Sequence, residues 1–228
     1  MVQAVSTPKA RRAERDLTRE AIAREALAFV DLHGLGALSM RRLARELGLG
    51  TMTLYGYFAD KDDLLDAVVE AAATAYAIER PAGDWKQRLR DVARQLHGGL
   101  AAHPSLVQLR LNRPILSAGA MRGTEIAMEA LVEAGLDRSE AAGAFRAIFV
   151  YVFGFTAFSA PELTPELRRH ALAAAAALPE DDFPVVRSAT QELVATLGGE
   201  EEFERGLELI LTGIETRATS ETPASTRP

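Results

Sequence analysis

Ser39-Met-Arg-Arg-Leu-Ala-Arg-Glu-Leu-Gly-Leu-Gly-Thr-Met-Thr-Leu-Tyr-Gly-Tyr-Phe-Ala-Asp-Lys61 is the stretch on which the fold turns. Two short runs of helical periodicity meet at Gly48 and Gly50, and the second is too short to be stable unless it packs on the first. That is the spacing of a helix-turn-helix, in which a supporting helix braces another lying in the DNA major groove. Leu43, Ala44 and Leu47 give the first helix a core face. Arg41, Arg42 and Arg45 fall largely off that face and are placed to meet phosphates. Ser39 stands where an N-cap belongs. In the second helix Thr51, Met52, Thr53, Tyr55 and Tyr57 reach outward, while Leu54 and Phe58 turn back to the core.

The rest of the composition agrees with such a module on a larger body. The chain has 228 residues, 48% hydrophobic and 25% charged, enough for one large domain or a small and a medium one. It has no cysteine, so neither a disulfide framework nor a thiolate metal site can form. The first sixteen residues are polar and charged with no apolar central run, so the expected compartment is the cytoplasm. A net charge of −6 argues at face value against a nucleic-acid partner. Its distribution reverses that. Residues 1–61 carry ten Lys and Arg against seven Asp and Glu, whereas residues 62–228 carry sixteen against twenty-five. Only the N-terminal end is suited to a polyanion.

Residues 1–16, with Lys9, Arg11, Arg12 and Arg15, read as a disordered basic arm. The pattern predicts a helix over 18–33, with Ile22, Ala26, Phe29 and Val30 on one face and Gly34 ending it. After the helix-turn-helix, a helix runs from 62 to about 79 with Leu64, Leu65, Val68 and Val69 inward. A longer one, 85–102, ends at His103-Pro104, and a shorter segment reaches Asn112 before Arg113-Pro114. Helices follow over 122–134, closed by Gly135, and over 141–160, capped by Asp137 or Ser139. The 171–177 alanine run is helix-prone, 178–184 is an acidic loop, and 185–197 and 202–218 complete the set. No period-two strand pattern is present.

The fold class is therefore all-α. A three-helix helix-turn-helix DNA-binding domain is expected at 17–62 and a larger helical ligand-binding and dimerisation domain at 63–218, followed by a disordered tail at 219–228. The apolar 141–160 segment could in length span a bilayer. Arg146 inside it would cost roughly 2.5–3.5 kcal/mol there. The segment reads instead as a helix buried on all sides, with no membrane partner.

Leu54-Tyr55-Gly56-Tyr57-Phe58-Ala59-Asp60-Lys61, followed by Asp62-Asp63-Leu64-Leu65, resembles the tetracycline-repressor (TetR) family. Trp85 after a short break, Arg113-Pro114, Phe153-Gly154-Phe155 and the 203–215 helix are similar to that family's regulatory domain. The resemblance implies a homodimer that releases an operator when its helical domain takes up a small-molecule inducer. It further implies that Met40 and Arg41 open the supporting helix, that Thr51, Met52, Thr53, Tyr55 and Tyr57 form the recognition surface beside Arg42, and that Lys61 touches phosphate. Arginine can donate two bonds to guanine, so Arg41 is the candidate for a direct base contact. Tyr55 and Lys61 would position the backbone.

The departures bear on the ligand. Tetracycline repressors read the drug with a histidine late in the connecting helix, where this chain has Ala77. A second histidine, just before the Arg-Pro pair, holds the drug-bound magnesium; here Arg110, Asn112 and Arg113 stand in that region. Arginine has no free acceptor and cannot ligate a metal. Tetracycline with magnesium is thus not expected, and a metal-free ligand with an anionic or carbonyl group fits Arg110 or Arg113. His103, Arg110, Asn112, Arg113, Phe149 and Phe153 are the candidate pocket residues, with no metal and no cofactor.

A palindromic operator demands two-fold symmetry. Phe203, Leu207, Ile210, Leu211 and Ile214 form one apolar stripe, with Gly206 and Gly213 for close approach, and Phe145, Phe149, Val152 and Phe153 form another. Paired between two copies, these helices give a four-helix dimer face. An enzyme is not expected: the four histidines, 33, 97, 103 and 170, have no metal-ligand spacing on one helix. A transcriptional activator of the same fold, or a ligand-sequestering protein with a silent helix-turn-helix, are the other readings the residues leave open.

Overall fold

The computed structural model describes residues 17–75, 78–112, 118–158 and 164–220, and all regular structure among them is helical. The basic arm, Ala77, Arg113 and the tail beyond 220 lie outside the described residues. The chain forms two compact units: one takes residues up to 80 together with 98–126, the other takes 81–97 together with 127 onward.

The first unit begins with α1, Arg19–His33, whose start is set by Thr18: its hydroxyl accepts the Ala21 N–H at 3.1 Å. Gly34 ends it with φ 79°, a left-handed turn that glycine adopts without steric cost. A 3₁₀ turn over Leu35–Ala37 leads to α2, Met40–Glu46, where Ser39 Oγ accepts the Arg42 N–H at 3.2 Å. Gly48, at φ 68°, makes the turn into α3, Thr51–Tyr57. Then comes α4, Lys61–Ala75, started by Asp60 Oδ1, which accepts the Asp63 N–H at 2.8 Å. One core joins these helices: Ile22, Ala26, Phe29, Leu43, Leu54, Phe58, Leu64 and Val68 are all sealed from solvent. Burying a side chain such as Phe58 contributes about 1.5–3 kcal/mol, which is what holds a helix as short as α3 in place.

Two further helices complete the element order across this part of the chain, α5, Trp85–Ala102, and α6, Pro104–Asn112. The latter packs on α1 and the 3₁₀ turn and sends Leu109 into the same core. Ser105 Oγ donates to Asp31 Oδ1 at 2.6 Å, and a ring nitrogen of His103 pairs with the same carboxylate. After α7, Ala118–Glu133, Gly135 turns at φ 104°.

In the second unit Asp137 caps α8, Arg138–Phe158, its Oδ1 taking the Glu140 N–H at 2.8 Å. Of the two caps read from sequence, Asp137 holds, and the helix starts three residues before 141. Three helices, α9 (Pro165–Ala176), α10 (Pro184–Ser188) and α11 (Thr190–Ala195), pack on one another. The single helix expected over 185–197 is broken at Ala189, whose ψ of 15° leaves the helical range. The last helix, α12, covers Glu200–Ser220 and packs on α8. A polar seam ties α12 to α5: Lys86 to Glu208 and Glu215 at 2.8 and 3.0 Å, Arg90 to Glu208 at 2.5 Å, and Arg94 Nε to Glu204 at 2.5 Å.

Two expectations for these helices need correction. Within one chain α8 is not buried on all sides: only Ala141, Ile148 and Val152 are sealed, and Val150 is 49% exposed. The stripe of Phe203, Leu207 and Ile214 on α12, with Val152 of α8, is instead internal, because these side chains form the core between the two helices. Gly206 serves the same packing. A methyl group there would stand 2.7 Å from Cζ of Tyr151, a ring held by its hydroxyl, which donates to the Phe203 carbonyl at 2.8 Å. Burial, with Glu202 and Glu204 nearby, pushes that phenol up to about 12.

Gly206→Ala should therefore lower stability by about 1–3 kcal/mol through overpacking. Gly98→Ala, where an added methyl meets nothing within 4 Å on α5, should raise it, by up to about 1 kcal/mol of helix propensity. Thermal melts followed by circular dichroism decide; equal effects of opposite expected sign would refute the packing account.

Candidate nucleic-acid interface

The outward side of α2 and α3 gathers most of the residues read from sequence. Arg41, Thr53, Tyr55 and Lys61 are exposed, Met52 is 81% exposed, and Thr51 and Tyr57 are half-buried. Arg41 and Lys61 make no ion pair with a described residue, so both charges stay available to a polyanion. Arg42 is exposed but lies over the Phe29 ring, its guanidinium carbon 5.3 Å from the centroid, which limits where the side chain can reach. Met40 is the exception. At 6% exposure it is part of the core, and its place is under the interface.

A residue that the sequence pattern did not single out sets the orientation of α3. Arg19, the first residue of α1, donates Nη1 to the Tyr57 carbonyl at 2.7 Å, where α3 ends, and to Asp63 Oδ2 at 3.0 Å. Its Nη2 meets Asp63 Oδ1, and its guanidinium carbon sits 4.6 Å above the Phe58 ring. Asp63 Oδ2 also accepts the Ala59 N–H at 2.9 Å. One guanidinium thus joins the start of α1, the end of α3 and the start of α4. The Arg19 hydrogen bond, then that of Ala59, hold the Asp63 carboxyl down to about 2. A lone Arg at a helix start reads as a solvated charge; the signal in the sequence was the Asp60–Asp63 pair opening α4.

The candidate ligand residues divide between the units. His103 belongs to the first, engaged with Asp31. Arg110 and Asn112 lie in the last turn of α6, their side chains outside the described residues, as is all of Arg113. Phe149 and Phe153 belong to the second unit, half-buried, their rings 4.4 Å apart with Phe145 next at 5.8 Å. Of the dimer residues, Phe145 and Ile210 are half-buried and Gly213 is exposed. No group of three His, Asp or Glu among the described residues is arranged to hold a metal.

An exposed helix-turn-helix joined to a larger helical body is the build of a DNA-binding regulator. The comparisons with known proteins agree. Residues 22–68 match the family "Bacterial regulatory proteins, tetR family", and residues 79–218 match "Tetracyclin repressor-like, C-terminal domain". The chain belongs to the TetR family of bacterial transcriptional regulators. An HTH-type transcriptional repressor of Mycobacterium tuberculosis is 32% identical over 227 residues, covering 92% of this chain and 85% of that protein. The repressor DrrR1 of Streptomyces coeruleorubidus is 37% identical over 142 residues, 60% of this chain and about half, 52%, of DrrR1. Among solved structures, the Streptomyces coelicolor TetR family protein ActR in complex with actinorhodin superposes with a TM-score of 0.79 at 29% identity, over 89% of this chain and 99% of that one. This chain is accordingly a ligand-responsive, DNA-binding transcriptional repressor.

Because folding holds the Asp63 carboxyl below its unfolded value of ~3.9, its stabilisation is complete above that pH and is lost as pH falls toward about 2. The pair is 39% and 33% exposed, so screening keeps it below about 1 kcal/mol. Asp63→Asn should lower the melting temperature slightly at pH 7, and the gap to wild type should close as the pH is lowered toward 2. A gap that widens in acid would remove the Arg19–Asp63 tie from the account.

Proposed function

We propose that the protein is a homodimeric repressor that leaves a palindromic operator when a metal-independent, largely apolar molecule with an acidic or carbonyl group binds its helical domain. The observation that carries this reading is the exposed, cation-bearing face of α2 and α3, on the chain's basic end. Members of the family bind operators and small molecules as dimers. The complex of the TetR family protein ActR with actinorhodin supports a small-molecule ligand here. We propose a functional division as read from sequence, DNA binding at 17–62 and ligand binding with dimerisation at 63–218, whose bounds differ from those of the two compact units, and a cytoplasmic location.

In this reading Arg41 contacts a base, Thr51, Met52, Thr53, Tyr55 and Tyr57 form the groove surface, and Lys61 with Arg42 meets phosphates, while Met40 supports them from below. The ligand residues we propose are those read from sequence: Arg110 and Arg113 for the ligand's anionic or carbonyl group, with His103, Asn112, Phe149 and Phe153 as the other candidates. For the dimer we propose the outer faces of α8 and α12. Val150 and Leu209 are 49% and 73% exposed there, and Gly206, Ile210 and Gly213 border Leu209 on α12. A long helix as apolar as α8 with little of its surface sealed calls for a second copy.

Arg41→Ala should cost roughly 1–3 kcal/mol of operator binding and relax base preference at one symmetric position per half-site, the half-sites being about one helical turn apart or a small multiple of it. Lys61→Ala should weaken all sequences alike and reduce the salt slope by about one charge per subunit. Mobility-shift titrations at several salt concentrations measure both, and exchanged phenotypes would overturn the assignment.

Val150→Glu should convert the dimer to a monomer at micromolar concentration and abolish specific DNA retention; a dimer unaffected by this change, seen by light scattering, would displace the proposed face. Release of the operator by tetracycline in a chelator-sensitive way would refute the metal-free ligand.

A further inference from the structure

A polar pair inside an aromatic cluster of the second unit takes no part in the roles described so far. The imidazole of His97, on α5, lies nearly parallel to Phe203 of α12, ring centres 4.3 Å apart and planes at 16°. Phe155 of α8 meets it edge-on at 5.7 Å. Its Nδ1 stands 2.8 Å from Oγ1 of Thr156, and that hydroxyl donates its one proton to the Val152 carbonyl, also at 2.8 Å, a turn back along α8. The Thr156 oxygen is thereby left to accept, so Nδ1 carries the hydrogen between them. In the uncharged ring Nε2 then keeps its lone pair.

That lone pair is open. Nε2 has no hydrogen-bond partner among the described residues, and it is absent from the unpaired polar atoms that are sealed from solvent, which are Glu70 Oε2, Arg88 Nε and Glu140 Oε2. The neighbouring phenol does not compete for it. Tyr151 lies 5.8 Å from Phe155 and 5.7 Å from Phe203, but its hydroxyl is engaged by the Phe203 carbonyl. Phe203 itself is sealed, so the cluster offers a guest the open parts of the half-buried His97, Phe155 and Tyr151 rings and one oriented, unengaged acceptor. Stacking and edge contacts favour a flat aromatic guest, and an acceptor requires a donor on it.

We propose that His97 is the polar anchor of an effector site in the second unit, accepting a hydrogen bond at Nε2 from the phenolic O–H of an aromatic ligand, with Thr156 as the positioning residue that holds the ring in its Nδ1–H form. This rests on the ligand-responsive reading above and names the chemistry of a site within the second unit. A site built to accept such a bond discriminates against a guest lacking the donor, because the acceptor is then desolvated without a partner.

The test uses the full chain, with ¹⁵N-labelled histidine, and 2-naphthol and 2-methoxynaphthalene as probes with the same rings, one with the donor and one without. Long-range proton–nitrogen spectra should find His97 as the Nδ1–H tautomer in the free protein, with its Nε2 signal moving on addition of the naphthol and not of the ether. Calorimetry should give at least about tenfold tighter binding of the naphthol, the scale of one hydrogen bond. His97→Phe, which keeps the stacking, should lose that preference; Thr156→Val should reduce it, and Thr156→Ser should restore it. An Nε2–H tautomer, equal affinities, no binding of either probe up to its solubility limit, or an unchanged preference in His97→Phe would each overturn the proposal. A mobility shift with DNA from upstream of the protein's own gene, run in parallel, separates the two levels. Retained specific DNA binding with a failed naphthol test removes His97 alone, and lost DNA binding removes the repressor reading.

Discussion

A helix of seven residues has too few internal hydrogen bonds to fix its own direction, and α3 is such a helix. Its direction comes from the guanidinium of Arg19, which closes the last turn of α3 through the Tyr57 carbonyl while anchored on Asp63 at the start of α4. The outward placement of Thr53, Tyr55 and Lys61 depends on that tie together with the sealed Leu54 and Phe58 beneath it. The ion pair itself is too exposed to contribute much stability. What it contributes is orientation: a charged, branched donor that three chain ends share leaves few arrangements in which all its bonds are made. The same carboxylate accepts the Ala59 N–H, so the short link between α3 and α4 is held at both sides.

The second unit is organised by a different constraint, the need to place more apolar surface than one chain encloses. The inner stripe of α12 is consumed by its own chain against α8, and Gly206 makes room for Tyr151 between them. The charged residues of α5 then pair with the glutamates of α12 at the rim, where water remains near and the ions need not be fully desolvated. What is left over is the outer side of α8, a helix long and apolar enough by composition for a bilayer although only 17% of its most apolar 18-residue window is buried in this chain. With the proposed two-fold symmetric operator, a second copy is the economical cover for such a face.

The His97 cluster lies within that same unit and follows from the way α5, α8 and α12 pack. Phe203 is sealed by the packing that also brings His97 and Tyr151 against it, and Thr156 holds the imidazole through a hydroxyl already engaged by its own helix. A histidine with one nitrogen fixed and the other open differs from His103, whose ring is engaged with a carboxylate at the foot of α6. Two histidines six residues apart thus have unlike surroundings because the chain between them passes from one compact unit to the other.

Local chemistry made much of this legible without coordinates. Ser39 and Asp137 act as caps because a short side-chain oxygen beside a helix start has one favourable partner, and Gly34 and Gly135 end helices because only glycine takes a left-handed backbone freely. The helical period likewise placed Leu43, Leu54 and Phe58 inward and Arg41 and Tyr55 outward, and the all-α class followed from it. Tertiary structure decided the rest. Periodicity shows that α12 has an apolar stripe but not whether its own chain or a partner covers it; that depends on which helices lie alongside. Met40 sits at a helix start, where pattern alone does not separate a core position from an interface. Arg19 with Asp63, and His97 with Thr156, are 44 and 59 residues apart in sequence. No periodicity links such pairs, and only the folded chain brings their donors and acceptors within bonding distance.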